Sequence, residues 1–116
     1  MSVYNNQIAV VGKVGKDAEI KEIEDIGTVA RFPLAVYRTG KGDTVKTDWF
    51  NVECWHDLAR GAFEKCVKGA RVIVVGSMKF DQYEKDGIKQ NRTSLAAREI
   101  GLDIAVDKGQ TDEDPF

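Results

Sequence analysis

Apolar and polar residues alternate with a period of two along most of this chain, and stretches with that period predict strands. Residues 7–14 (QIAVVGKV) read as a strand with a glycine break at Gly12, and 19–24 (EIKEIE) as its continuation. A turn at 24–27 (EDIG) leads into a second strand, 28–38 (TVARFPLAVYR). Pro33 within it has no amide hydrogen, so that position belongs at an edge or a bulge. Residues 39–46 (TGKGDTVK) read as a flexible loop, and 47–56 (TDWFNVECWH) as a third strand. The period then changes. Asp57 is an N-cap residue, and the helix it opens sets Leu58, Ala62, Phe63 and Cys66 near one face, with Lys65 and Lys68 at its end and Gly69 as its stop. Residues 71–80 (RVIVVGSMKF) predict a fourth strand and 81–91 a loop or long hairpin. Residues 92–105 predict a fifth strand, although LAARE within it suits a helix nearly as well.

Five strands with one helix between the third and fourth is the element order of an OB-fold barrel, an all-β class. Gly12 and Gly76 fit the bulges that bend strands around a small barrel. The length of 116 residues suits one domain with its own core. The net charge of −2 argues at first against a polyanion partner. It is unevenly spread, however. Residues 107–116 (DKGQTDEDPF) hold four acids and one base, so residues 1–106 keep 16 basic and 15 acidic residues. The chain divides into a nearly neutral body, 1–106, and a short acidic tail, 107–116.

The third strand carries the most informative chemistry. Its alternation puts Phe50, Val52 and Cys54 on one face, which reads as barrel interior. Trp49, Asn51, Glu53 and Trp55 share the other, which reads as an outer, solvated face. Two tryptophans on a wet face suit base stacking, which tolerates any sequence because every base has a π-face. The second strand repeats the pattern, with Ala30, Phe32, Leu34 and Val36 on one side and Arg31, Ala35 and Tyr37 on the other, where Tyr37 is a further candidate for stacking and Arg31 for a phosphate contact. Positive charge gathers at the loops: Arg38, Lys41 and Lys46 beside 39–46, and Lys79, Lys85, Lys89 and Arg92 beside 81–91. Phe80 and Tyr83 add further rings there. Basic residues interleaved with aromatics describe a groove that follows a nucleic-acid backbone.

At these residues the chain resembles the bacterial single-stranded DNA-binding protein family, over about residues 4–105. VVGKVGKDAE (10–19) resembles that family's first-strand motif, VARFPLAVYR (29–38) its second strand and DWFNVECW (48–55) its third. VKGARVIVVGSMKF (67–80) is similar to its turn and fourth strand, and the DWFN and GSMKF wording looks closest to cyanobacterial members or phages of such hosts. The resemblance implies stacking by Trp49, Trp55 and Tyr83, phosphate contacts from Lys68 and Lys79, and a homotetramer. The departures are Ala18 where the family more often has proline, Asp81 and Gln82 where it often has basic residues, and Asn51 and Asp57 in place of positive charge. They imply weaker or more salt-sensitive binding. DEDPF (112–116) resembles the family's acidic tip: Asp112, Glu113 and Asp114 would steer a partner while Pro115 and Phe116 fill its pocket. The partners implied are replication, repair and recombination proteins. The usual long linker before the tip is missing, which limits its reach.

Other classes fit less well. Two cysteines and one histidine cannot build a zinc site, and no cofactor is expected. The longest apolar runs are four residues, so no membrane span or leader is expected and the expected location is the cytoplasm. Cys54 and His56 share a strand face as a nucleophile–base pair would, but Phe50 and Val52 share it too, so Cys54 reads as a buried apolar group. TGKGD (39–43) lacks the spacing of a phosphate-binding loop. The expectation is a binding protein rather than an enzyme. The rival reading is an OB-fold adaptor that binds proteins through its tip and has lost strand binding.

Overall fold

A sheet that closes on itself leaves two long hairpins projecting from a small barrel. The computed structural model describes residues 5–105. Its elements are β1 (Ile8–Val14), β2 (Glu19–Ile23), β3 (Gly27–Thr39), a 3-10 turn (Lys41–Asp43), β4 (Val45–Trp55), α1 (His56–Lys65), β5 (Arg71–Lys85) and β6 (Ile88–Leu102). Hydrogen bonding follows the order β1-β5-β6-β4-β3-β2, and β1 also pairs with β3 at Lys13–Ala35 and Val14–Leu34. That last pairing closes a five-membered ring, β1-β5-β6-β4-β3. With β1 and β2 taken as two halves of one interrupted strand, α1 follows the third strand, as the periodicity predicts.

Alternation fills the barrel. Ala30, Phe32 and Leu34 from β3, Val52 and Cys54 from β4, Val72 and Val74 from β5 and Leu95 from β6 form one buried cluster. Ala59, Ala62 and Cys66 close one end of it. Cys54 and Cys66 are both free thiols, and burial pushes Cys54 up to about 12 and Cys66 to about 11. That is the reverse of an activated nucleophile. LAARE lies within β6, where Leu95 pairs across to both Val52 and Met78. Among the described residues no helix is long and apolar enough to cross a membrane.

Several local expectations change. Gly76 does sit at a register shift with Val75. The β1–β5 ladder instead runs through Gly12 in register, and a Cβ at Gly12 would strike the carbonyl of Ala35. Gly12 thus permits the close crossing of β1 over β3 rather than a bulge. Pro33 pairs with Asn51, and its carbonyl accepts from the Gly15 amide at 2.9 Å. Its missing N–H therefore faces the gap between β1 and β2, where no ladder partner stands. Asp57 is not the cap: it lies in the first turn and binds Arg60 at 2.7 Å, and Trp55 precedes the helix without a side-chain cap. Phe63 is exposed rather than packed. The helix ends at Lys65, and Gly69 stands in the following turn with its amide bonded to Val14.

Residues 40–44 form the loop expected at 39–46, and 81–91 is the long hairpin rather than the loop. β3 and β4 stay paired from Val29–Trp55 out to Thr39–Val45, so only a short tip separates them. β5 and β6 stay paired to Lys85–Ile88. Asp86 and Gly87 join them with φ of 54° and 78°, as a two-residue turn of type I′ requires.

Candidate nucleic-acid interface

Paired residues in adjacent strands point to the same side, so the ladders define a continuous outer face. On β4 and β3 it carries Trp49 beside Ala35, Asn51 beside Pro33, Glu53 beside Arg31 and Trp55 beside Val29. Glu53–Ala96 carries the face onto β6, and from there it includes Lys79, Asp81, Tyr83 and Lys85 of β5 with Arg92 of β6. Asn51 links the strands again by donating from Nδ2 to the Thr93 carbonyl at 3.5 Å.

Trp49 is 61% exposed. The edge of its ring rests over Gly15, where a Cβ would come within 2.6 Å of Cζ3 and 2.9 Å of Cη2, with Pro33 beside it. Trp49, Tyr37 and Lys68 line one groove with Lys13, Gly15 and Gly69. Lys16, Arg31, Pro33, Asn51 and Arg92 line the next groove along, with Asp17 and Glu19 at its rim. Gly15 was not singled out by sequence reasoning, although glycine directly after a strand is a signal of close approach. Replacing it with alanine is expected to push the indole out of its rotamer well at a cost of about 0.5–1.5 kcal/mol. Tryptophan emission should shift in Gly15→Ala while the melting temperature falls by only a few degrees, and an unchanged spectrum would show that the ring does not depend on this seat.

Trp55 and Glu53 depart from the expected solvated face. Trp55 is half-buried, and Glu53 is only 6% exposed. The Trp55 indole Nε1 donates to Glu53 Oε1 at 3.3 Å and Lys79 Nζ donates to the same oxygen at 3.2 Å. Arg31 approaches Oε2 with Nε and with its terminal nitrogen, each at 3.2 Å. Burial works to raise the Glu53 pKa, but the bonds from Lys79, Trp55 and Arg31 outweigh it and hold the carboxyl below its ordinary value of 4.5. Strict alternation missed this burial, because Arg31 and Lys79 arrive from two other strands.

The remaining cations divide. Arg38 is tied to Asp48 at 2.8 Å. With Lys46, its ladder partner, it alternates to the side of the hairpin opposite Trp49 and Tyr37. Lys41, Lys46, Lys68, Lys85, Lys89 and Arg92 form no ion pair among the described residues. Phe80 is 75% exposed and sits on the reverse side of the β5–β6 hairpin from Lys79 and Tyr83, with Lys89. The geometry thus gathers Trp49, Tyr37, Trp55, Tyr83, Arg31, Lys68, Lys79, Lys85 and Arg92 on one side, and leaves Phe80, Lys89, Arg38 and Lys46 off it. The tip residues Asp112, Glu113, Asp114, Pro115 and Phe116, and the boundary between body and tail, lie outside the described residues. Ala18 has a local explanation: its amide donates to the Cys66 carbonyl at 3.0 Å, a bond that proline could not make.

Known proteins resemble this chain in sequence and in fold. The chain is 35% identical over 107 residues to a protein of Thermosynechococcus vestitus named single-stranded DNA-binding protein, covering 92% of this chain and 88% of that one. It is 36% identical, with the same coverage, to single-stranded DNA-binding protein 1 of a Nostoc species. Among solved structures, the small single-stranded DNA-binding protein of Streptomyces coelicolor matches with a TM-score of 0.72 and 26% identity, over 88% of this chain and 97% of that one. This likeness agrees with a closed five-stranded barrel carrying one helix. The model of the single-strand binding protein family, whose members bind DNA without catalysing a reaction, matches residues 5–103. With a match over most of its length and relatives above 30% identity, this chain belongs to the single-strand binding protein family.

Proposed function

We propose that this protein binds and protects single-stranded DNA without sequence specificity, by stacking bases on Trp49, Trp55 and Tyr83 and holding phosphates with the surrounding cations. The observation that carries this reading is the exposed indole of Trp49, seated on the same strand face as Arg31, Arg92 and Tyr83. Stacking contributes about 1–3 kcal/mol per base, enough for a few rings to hold a strand whose charge is met by lysine and arginine. The setting is replication, recombination and repair in the cytoplasm, with the DEDPF tip recruiting partner proteins. Self-association into a homotetramer fits the apolar patch outside β1 and β5. Val11 and Ile73 are exposed there as ladder neighbours, next to the pair Ala9 and Val75.

Titrating oligo-dT at low salt is expected to quench tryptophan emission. The logarithm of the affinity should fall linearly with the logarithm of salt concentration, by about 0.7 per phosphate contact. Sedimentation of the free and saturated protein reads the number of copies in the same samples. Unchanged emission at saturating oligo-dT would overturn the proposal and favour a protein-binding adaptor.

A further inference from the structure

Glu53 lies in the middle of the stacking face, yet it is almost sealed from water, and each of its side-chain partners is a group assigned above to a base or a phosphate. We propose that Glu53 is a positioning residue that fixes the Trp55 indole and serves as an internal counter-anion for Arg31 and Lys79, setting the strength and salt dependence of strand binding. This rests on the single-stranded DNA reading.

The argument starts from charge. Two cations against one carboxylate leave the cluster with a net single positive charge. A phosphate cannot simply take both cations, because a buried carboxylate stripped of its partners is strongly disfavoured. Sharing is possible instead. The Arg31 guanidinium has five N–H donors and turns one edge to Oε2, and the Lys79 ammonium has three and uses one on Oε1. Both can bridge from Glu53 to a phosphate while staying in place. The indole is fixed by the same oxygen as Lys79, so ring and charge are set by a single side chain.

The test is the salt slope of oligo-dT binding. Glu53→Gln keeps the shape and an oxygen for Trp55 but raises the cluster by one positive charge. The slope is expected to steepen by about 0.7, as for one further phosphate contact, which makes binding at 0.1 M salt about fivefold tighter relative to a common 1 M reference. Glu53→Asp keeps the charge but is one methylene shorter, so it should retain the parental slope while its tryptophan emission shifts. Glu99→Gln, an exposed carboxylate beside Val75, should leave both unchanged. A folded Glu53→Gln protein with an unchanged or shallower slope overturns the inference, while quenching of the parent protein shows that strand binding itself stands. A second measurement needs no variant: hydrogen exchange of the two indole N–H groups in 15N-tryptophan-labelled protein. The Trp55 signal is expected to stay protected relative to Trp49 with and without oligo-dT, and its loss on binding would equally overturn the inference.

Discussion

Replacing Trp49 by alanine is expected to weaken oligo-dT binding by about 1–3 kcal/mol, or roughly 5- to 150-fold, with little change in thermal stability. The two readouts separate because the indole meets solvent over most of its surface and touches the body mainly through its edge, above Gly15 and Pro33. A side chain so placed contributes little to the core, and surface substitutions usually change stability by about 0.5 kcal/mol or less. Its loss should also remove most of the change in emission on binding, since the freest ring has the most room to stack. Fluorescence anisotropy of a labelled oligo-dT gives the affinity without relying on tryptophan. Full affinity in a folded Trp49→Ala protein would mean that bases do not stack there. Trp55 is a less direct probe, because removing it also takes a donor from a buried carboxylate.

What the sequence reveals and what it hides follow from the range of the forces involved. Alternation is a local rule, and it located the interior residues of β3 and β4 because each strand has one face that must leave water. It also placed Trp49 outside. It failed at Glu53, where period two predicts a wet residue but Arg31 and Lys79 arrive from positions 22 and 26 residues away. No local pattern encodes that meeting. Phe63 failed for a related reason: helical spacing groups it with Ala62 and Cys66, but the barrel end is covered by the two small residues with Ala59, so the ring stays outside. The β5–β6 hairpin was one of the two readings of 81–91, and Asp-Gly between alternating residues, a strong signal for a type I′ turn, could have decided between them. Its polar composition reflects two exposed faces rather than irregular backbone. The division of cations between the two sides of the hairpins needed the register, which depends on where each ladder begins.

The barrel itself should be most sensitive at Leu34, where Leu34→Ala is expected to cost about 2–5 kcal/mol. Leu34 is fully buried, pairs with Phe50 on β4 and with Val14 on β1, and so stands at the contact that closes the ring. Its branch point also lies close beneath Gly12, in space that glycine leaves open to the β1–β3 crossing. Shortening it removes apolar contact and opens a cavity that two crossing backbones cannot collapse to fill. For a domain stabilised by about 5–15 kcal/mol in all, that loss is large, and urea unfolding would show it as a lower midpoint with an unchanged slope. Val45→Ala, at an exposed site near the hairpin tip, supplies the contrast and should move the midpoint very little. The Leu34→Ala protein that remains folded should still bind oligo-dT with nearly parental affinity, because Trp49 and the Glu53 cluster lie on the opposite side of the same strands. A loss below about 1 kcal/mol would mean that β1 and β3 do not close the barrel as tightly as the Gly12 crossing requires.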